Sequence, residues 1–273
     1  SDSLIISIVN SDIATNHPIY NRIWIPMIRS ADKVVANSTP TQDICVHKGV
    51  SYNKLTIIHP GVTFPPVEKD QALINYIKNK YDLNNKKILI SVGRLTARKG
   101  ILEFVDYSLP TIIQSCPDTI LVIIGDTPIH SLNKNLQSKE SIISMAEKHA
   151  IQSHILFVGN ISDDSLLSAW YYLADIHVFP VKHIPEDPEG FGMVAIEAAT
   201  YGTPSIAFST GGITDAIQNN ESGILIEAEN YKDFSKAVIN ELIESPSIMK
   251  TKCQEFSKEF SWENLGKKLN DLF

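Results

Sequence analysis

The chain is poor in cysteine, short of positive charge and free of long hydrophobic runs. Its three cysteines, Cys45, Cys116 and Cys253, are odd in number and widely spaced. They build neither a disulfide framework nor a metal cage, and they fit a reducing compartment. Lys and Arg total 24 against 31 Asp and Glu, a formal net charge of −7. Nucleic acid is therefore excluded as the main partner, since phosphate backbones need a basic face, although one cleft can still be lined with cations. No apolar run reaches the ~18 residues of a membrane span, and no signal-peptide pattern opens the chain. What is present is core material. With 43% hydrophobic residues over 273 positions, the chain can bury a large interior as one or two domains.

From Lys86 onward, continuous apolar runs alternate with helical ones. Strands are expected at Lys87–Gly93, Thr119–Gly125, Ile155–Gly159, Ile176–Phe179, Ser205–Phe208 and Gly223–Ile226. Helices are expected at Gly100–Ser115, Ser138–Ala150, Asp163–Ala174 and Met193–Tyr201. Uninterrupted apolar strands are those covered on both faces. The pattern predicts an α/β fold with a doubly wound, Rossmann-like parallel sheet, and ligands at the carboxyl ends of its strands. The first 65 residues read as a small, incomplete α/β piece. Its strands are Leu4–Val9, Lys33–Ala36 and Leu55–Ile58, and its helices Tyr20–Arg29 and Thr41–Lys48. Gly61–Asp70, with Pro65-Pro66, reads as a linker. Helices Tyr231–Ile243 and Pro246–Phe260 follow the last strand, and Ser261 with Asn264 opens a final one with a weak cap.

Two strand-to-helix junctions carry the chemistry. In Glu189-Gly-Phe-Gly-Met-Val-Ala-Ile-Glu197, a loop with Gly190 and Gly192 leads into a helix, and a helix start offers bare N–H groups to an anion. Glu197 falls about one turn, roughly 6 Å, beyond Met193 on the same face. Glu189 lies before the helix, so the two carboxylates bracket the anion site. A ligand with hydroxyls at both ends and phosphate in the middle, such as a nucleotide sugar, has that shape. Taken alone, the pair also suits a solvated loop and a polar helix face. Glu197, however, sits among Met193, Val194, Ile196 and Ala198, where an unpartnered carboxylate is costly. The second junction, Ser91-Val-Gly-Arg-Leu-Thr-Ala-Arg-Lys-Gly100, puts Arg94, Arg98 and Lys99 at a strand's carboxyl end. Guanidinium forks and an ammonium there suit phosphate, although a solvated basic turn has the same composition. The two junctions in one sheet favour the phosphate reading.

Gly93–Gly100 together with Glu189–Glu197 resembles the family 4 retaining glycosyltransferases of the GT-B fold. Ala31–Ser38, Lys54–Val62, Tyr201–Ala207, Thr210-Gly-Gly-Ile213 and Phe260-Ser-Trp262 match further landmarks in the same order. The resemblance implies a retaining hexosyltransferase acting in polysaccharide biosynthesis, with a UDP-, GDP- or ADP-linked sugar as donor substrate and no other cofactor. The acceptor would be a carbohydrate or a lipid-linked sugar. Arg94 and Lys99 would grip the diphosphate, Glu189 would bind sugar hydroxyls, and Glu197 would take the ribose hydroxyls. Gly190, Phe191, Gly192, Met193 and Val194 would present backbone N–H groups. Val158, Asn160 and Ile161 would meet the nucleobase, Leu166 would pack near the ribose, and Gly93, Gly125 and Asp126 would line the neighbouring strand ends. The chain holds no Asp-x-Asp pair, so no metal is expected; Arg94, Lys99 and the helix N-terminus would supply the positive charge.

By the same resemblance, residues 1–65 are the remnant of an acceptor-side domain. Residues 66–255 are the donor domain, and 256–273 a helix packing back towards the N-terminal part. Family members carry a complete first domain, with a histidine near the position of Asn10. Three accounts are therefore open: a fragment with a missing N-terminal domain, which is favoured, a partner chain that supplies the rest, or a reduced enzyme that works without it. The location expected is cytoplasmic, with peripheral attachment to the inner membrane face left open. A nucleotide-sugar-binding or regulatory subunit without catalysis, or another GT-B enzyme such as a sugar-nucleotide epimerase, remains the alternative. His17, His59, His130 and His177 read as structural or surface residues, His183 as the one to test. Trp170, Tyr171 and Tyr172 read as helix packing.

Overall fold

The computed structural model describes residues 5–65, 69–128, 136–243 and 247–272, and contains two all-parallel sheets. The expected sites at Leu4, Pro66, His130 and Pro246 lie outside those residues. In the smaller sheet, β1 (Ile6–Val9), β2 (Lys33–Ala36) and β3 (Leu55–Ile57) lie side by side in that order. Between β1 and β2, a π-helical turn at Tyr20–Trp24 runs into α1 (Ile25–Ser30), not one regular helix as expected. α2 (Thr39–His47) begins two residues before the expected Thr41. Ser38 caps it by accepting the Thr41 N–H, and Pro40 is tolerated in a first turn whose N–H groups have no helical partner. A helix unforeseen from the sequence follows the linker. α3 (Gln71–Lys80) is capped by Asp70 and buries Ile74 and Ile77.

The larger sheet holds β4 (Lys87–Val92), β5 (Thr119–Ile124), β6 (Ile155–Gly159), β7 (Ile176–Phe179), β8 (Ser205–Phe208) and β9 (Gly223–Ile226). Their order is β6-β5-β4-β7-β8-β9. On one face lie α4 (Ile101–Tyr107), α5 (Leu109–Ser115) and α6 (Lys139–Lys148), which bury Phe104, Ile112 and Ile142 against Leu89, Leu121 and Val178. On the other, α3 and α7 (Asp164–Leu173) pack Ile77 and Trp170 onto Ile88, Ile90 and Val122. α8 (Met193–Thr200) and the short α9 (Ile213–Ala216) cover Phe179 and Ala207. α10 (Tyr231–Ile243) returns to the first face through Phe234 and Val238. α11 (Lys250–Ser257) lies along α8, and α12 (Trp262–Asn270) closes the chain.

Two more expected helices are corrected. Gly100–Ser115 breaks at Ser108 into α4 and α5, because Pro110 cannot continue a helix, and the buried Ser108 hydroxyl donates instead to the Tyr231 carbonyl at 3.0 Å. The helix expected to run to Phe260 is α11 followed by a 3-10 turn at Lys258–Phe260. The Ser261 cap is also better formed than expected, accepting the Asn264 N–H at 3.1 Å.

The strand order reverses between β4 and β7. The connection from β4 leaves towards β5 and that from β7 towards β8, so their loops diverge and open a crevice at the carboxyl ends. The linker that leaves the small sheet is pinned to the start of α12. Val62 bridges Ser261 in parallel and donates to the Phe260 carbonyl at 2.7 Å, while the Trp262 indole N–H donates to Thr63 Oγ1 at 3.3 Å.

Candidate functional site

The basic turn follows β4 and is held there by its glycines. Gly93 and Gly125 both have positive φ, 138° and 128°, and their strand ends touch so closely that a Cβ on Gly125 would enter the Gly93 carbonyl. Leu95 then donates to the Asp126 carbonyl at 3.0 Å. Ala97–Lys99 form one 3-10 turn that ends at Gly100, with φ 68°. The Lys182 N–H donates to the Arg98 carbonyl at 2.8 Å, which locks the turn to the segment after β7. Arg94 and Asp126 are exposed at the mouth, while Arg98 and Lys99 point inward with side chains only 11% and 15% exposed.

Across the crevice, the Glu189 carboxylate meets both cations. Its Oε2 accepts from Lys99 Nζ at 2.8 Å and from an Arg98 guanidinium N–H, and Asp187 lies 3.5 Å from Arg98 Nε. Glu189 thus stands on the cation set, a correction to the picture of a carboxylate merely flanking it. Burial alone would raise the Glu189 carboxyl, but the charges of Lys99 and Arg98 outweigh it and hold it below its ordinary range. Lys99 is lowered from 10.5, because burial and its neighbours Arg98 and Arg94 together outweigh the attraction of Glu189. The loop has little freedom. Gly212 donates to the Glu189 carbonyl at 2.8 Å, and the backbone of Gly211 and Gly212 presses on Glu189 and Gly190 with no space for a side chain. Gly192, at φ 92°, then turns into α8, whose opening N–H groups at Met193 and Val194 have no acceptor within the helix. Phe191 is buried beside them.

Glu197 sits one turn into α8, where it accepts from the Tyr171 hydroxyl at 3.0 Å. Burial raises its carboxyl, against the opposing pull of Tyr171 and Lys99. Tyr171 is therefore both packing and partner, a role its place among apolar helix residues hid. Burial also lifts the Tyr171 phenol far above 10.0, so it stays neutral and donates. A cavity of about 440 Å³ opens beside this pair, walled by Met193, Glu197, Tyr171, Phe64 and Trp262. Arg94, Lys99, Glu189, Val158, Asn160 and Leu166 are not on its wall. At the end of β6, Val158 and Ile161 are half-buried with Leu166 against the core under α7, and Asn160 is exposed.

Two residues gained importance in space. Arg98, read as one cation of three, is the bridge between Asp187 and Glu189. His59, read as bland, stacks on Phe191 with ring centroids 5.1 Å apart and holds the Asn37 carbonyl through Nδ1 at 3.1 Å. No sequence spacing signals that contact, because it spans the two sheets. His177 is structural, as read: it is fully buried in β7, bonded to Ser205 Oγ at 2.9 Å, and burial lowers it to about 3. His183 is exposed in the loop before Glu189. Among the described residues, no three His, Cys, Asp or Glu side chains gather as metal ligands, and no helix is long and apolar enough to cross a membrane.

Comparison with known proteins bears on the fold and the family. A mannosyltransferase of Mycobacterium tuberculosis, described as GDP-mannose-dependent alpha-(1-6)-phosphatidylinositol monomannoside mannosyltransferase, is 28% identical over 80% of the chain and 55% of its own length. A D-inositol 3-phosphate glycosyltransferase of Rhodococcus jostii is 26% identical over 87% of the chain and 51% of its own. The chain thus spans about half the length of the curated relatives it matches. Among solved structures, HepE of Anabaena, crystallised with UDP, superposes with a TM-score of 0.83 at 17% identity, over 98% of this chain and 71% of that one, a likeness of fold. The description of glycosyl transferases group 1 matches residues 74–260, a span running from α3 through the basic turn and the acidic loop to the last aromatic landmark, and so the chain belongs to that family.

Proposed function

We propose that this chain supplies the donor half of a retaining glycosyltransferase that takes its sugar from a nucleoside diphosphate without a metal ion. The observation that carries the reading is the meeting of Lys99 and Glu189 at 2.8 Å, from turns 90 residues apart, in the crevice where the strand order reverses. As the bond between sugar and diphosphate breaks, negative charge grows on the departing phosphate oxygen. Lys99, Arg94 and the α8 N-terminus stabilise it in a partly dry cleft. Glu189 binds the sugar hydroxyls and Glu197 the ribose. The N–H groups of Phe191 to Val194 complete the phosphate cradle, and Val158, Asn160, Ile161 and Leu166 receive the base. In this reading residues 66–255 form the donor domain, 1–65 belong to the acceptor side and 256–273 join the two. A UDP-, GDP- or ADP-linked sugar is the donor, and a carbohydrate or lipid-linked acceptor reacts at the cytoplasmic side.

The test is calorimetric titration with UDP, GDP and ADP, followed by donor hydrolysis and transfer assays in the presence of a chelator. Tight binding of one nucleotide with chelator-resistant turnover supports the reading. Failure of all three to bind ends it. A second reading, a nucleotide-sugar-binding subunit that does not itself catalyse, is favoured by the cavity beside Glu197, whose wall includes neither Lys99 nor Glu189. Binding without turnover on any acceptor would select it.

A further inference from the structure

The acidic loop is gripped from two sides. Arg98 and Lys99 hold the Glu189 side chain, and on the other side the small sheet holds the backbone that follows. Ser38, fully buried at the start of α2, lies 2.6 Å from the Gly190 carbonyl oxygen and 3.0 Å from Thr41 Oγ1. A hydroxyl has one proton, and the carbonyl is the nearer acceptor, so Ser38 donates to Gly190 while Thr41 Oγ1 and the Thr41 N–H donate to Ser38. One residue on, the Thr39 N–H donates to Asp215 Oδ2 at 2.6 Å, and Asp215 belongs to α9 beside the Gly211-Gly212 backbone that supports the same loop. His59 stacks on Phe191 from the same side.

We propose that Ser38 is a positioning residue of the donor site. The peptide between Gly190 and Phe191 is planar and trans, so fixing the Gly190 carbonyl fixes the Phe191 N–H in the opposite direction. Gly190 has no Cβ to restrict its dihedrals, and its carbonyl therefore needs an outside anchor. Ser38 is that anchor, and Asp215, holding Thr39, keeps the anchor in place. Through one hydroxyl the small sheet sets the direction of a phosphate-facing N–H and the approach of Glu189. The catalytic consequence rests on the function proposed above; the anchoring itself does not.

The experiment compares Ser38→Ala, Ser38→Thr and Asp215→Ala with the unaltered chain by hydrogen exchange, titration with UDP, GDP and ADP, and donor turnover. Ser38→Ala should raise amide exchange across residues 189–194 by about tenfold while the β4 and β5 amides stay unchanged. It should lower kcat by about tenfold to a hundredfold, with KM for the donor moved less than about threefold. Ser38→Thr, which keeps the hydroxyl, should restore both, and Asp215→Ala should change exchange in the same direction if Ser38→Ala does not fold. Faster exchange confined to α2 in Ser38→Ala would reduce the residue to a helix cap and overturn the proposal. So would unaltered exchange at 189–194 in the variants that fold. An unaltered chain that binds no nucleotide fails the function instead, and the exchange result still decides the anchoring.

Discussion

Lys99 and Glu197 are opposite cases of the same cost. Both charged groups are withdrawn from water, and each is displaced towards its neutral form: Lys99 lowered from 10.5, Glu197 raised from 4.5. Nucleotide binding should therefore be bounded on both sides. Affinity should fall on the acid side at a pH above 4.5 as Glu197 gains a proton, and on the alkaline side below 10.5 as Lys99 loses one; calorimetry across pH 4–10 checks both limbs. Lys99→Ala should weaken nucleoside diphosphates by roughly tenfold to a hundredfold, a charge-assisted contact of about 1.5–3 kcal/mol, and leave the nucleoside nearly untouched. Equal losses for both ligands would remove the diphosphate role. Glu197→Gln has a different signature. A raised folded-state value means the buried carboxylate destabilises the fold above pH 4.5, so the neutral amide should hold or raise the melting temperature. The same change should erase any preference for ribonucleotides over 2′-deoxyribonucleotides in competition titrations.

At the scale of elements, the site is made by glycines that let backbones touch. Gly125 shows this most directly, with φ of 128° and its Cα facing the Gly93 carbonyl. Gly125→Ala should cost about 2–4 kcal/mol in urea unfolding and displace the turn carrying Arg94 and Lys99, so nucleotide affinity and stability fall together. The large sheet was legible in the sequence because its central strands are covered on both faces, and uninterrupted runs such as Ile88-Leu-Ile and Leu121-Val-Ile-Ile survive there. The loops at the reversal stood out only as a pair, since glycines beside charged residues suit a solvated turn equally well when either loop is read alone. α3 was hidden by the linker before it, although Asp70 ahead of Leu73 and Ile74 was a readable start. The break at Ser108 was marked by Pro110 and passed over within a longer apolar stretch. Ser38, His59 and Tyr171 were not legible as site residues at all. Their partners lie far along the chain, Gly190 at 152 positions from Ser38, and nothing local to Ser38 or His59 announces them.

For the whole molecule, acid is the expected weakness. His177 is neutral at the centre of the sheet with its value lowered from 6.5 to about 3, whereas the unfolded chain binds that proton below 6.5. Its contribution is intact above pH 6.5 and is lost progressively as pH falls towards 3. Denaturant unfolding across that window should show stability dropping with acid, and His177→Gln should flatten the slope whatever it does to stability at pH 7. The joining segments set a different limit. Because Val62 and Ser261 lie side by side and are bonded to each other, with Trp262 laid over Gly61, the strap leaving the small sheet is pinned to the start of α12. Held at that pin and also through Ser38 to Gly190, Thr39 to Asp215 and His59 to Phe191, the small sheet has little room to swing, so the mouth of the crevice keeps a nearly fixed width.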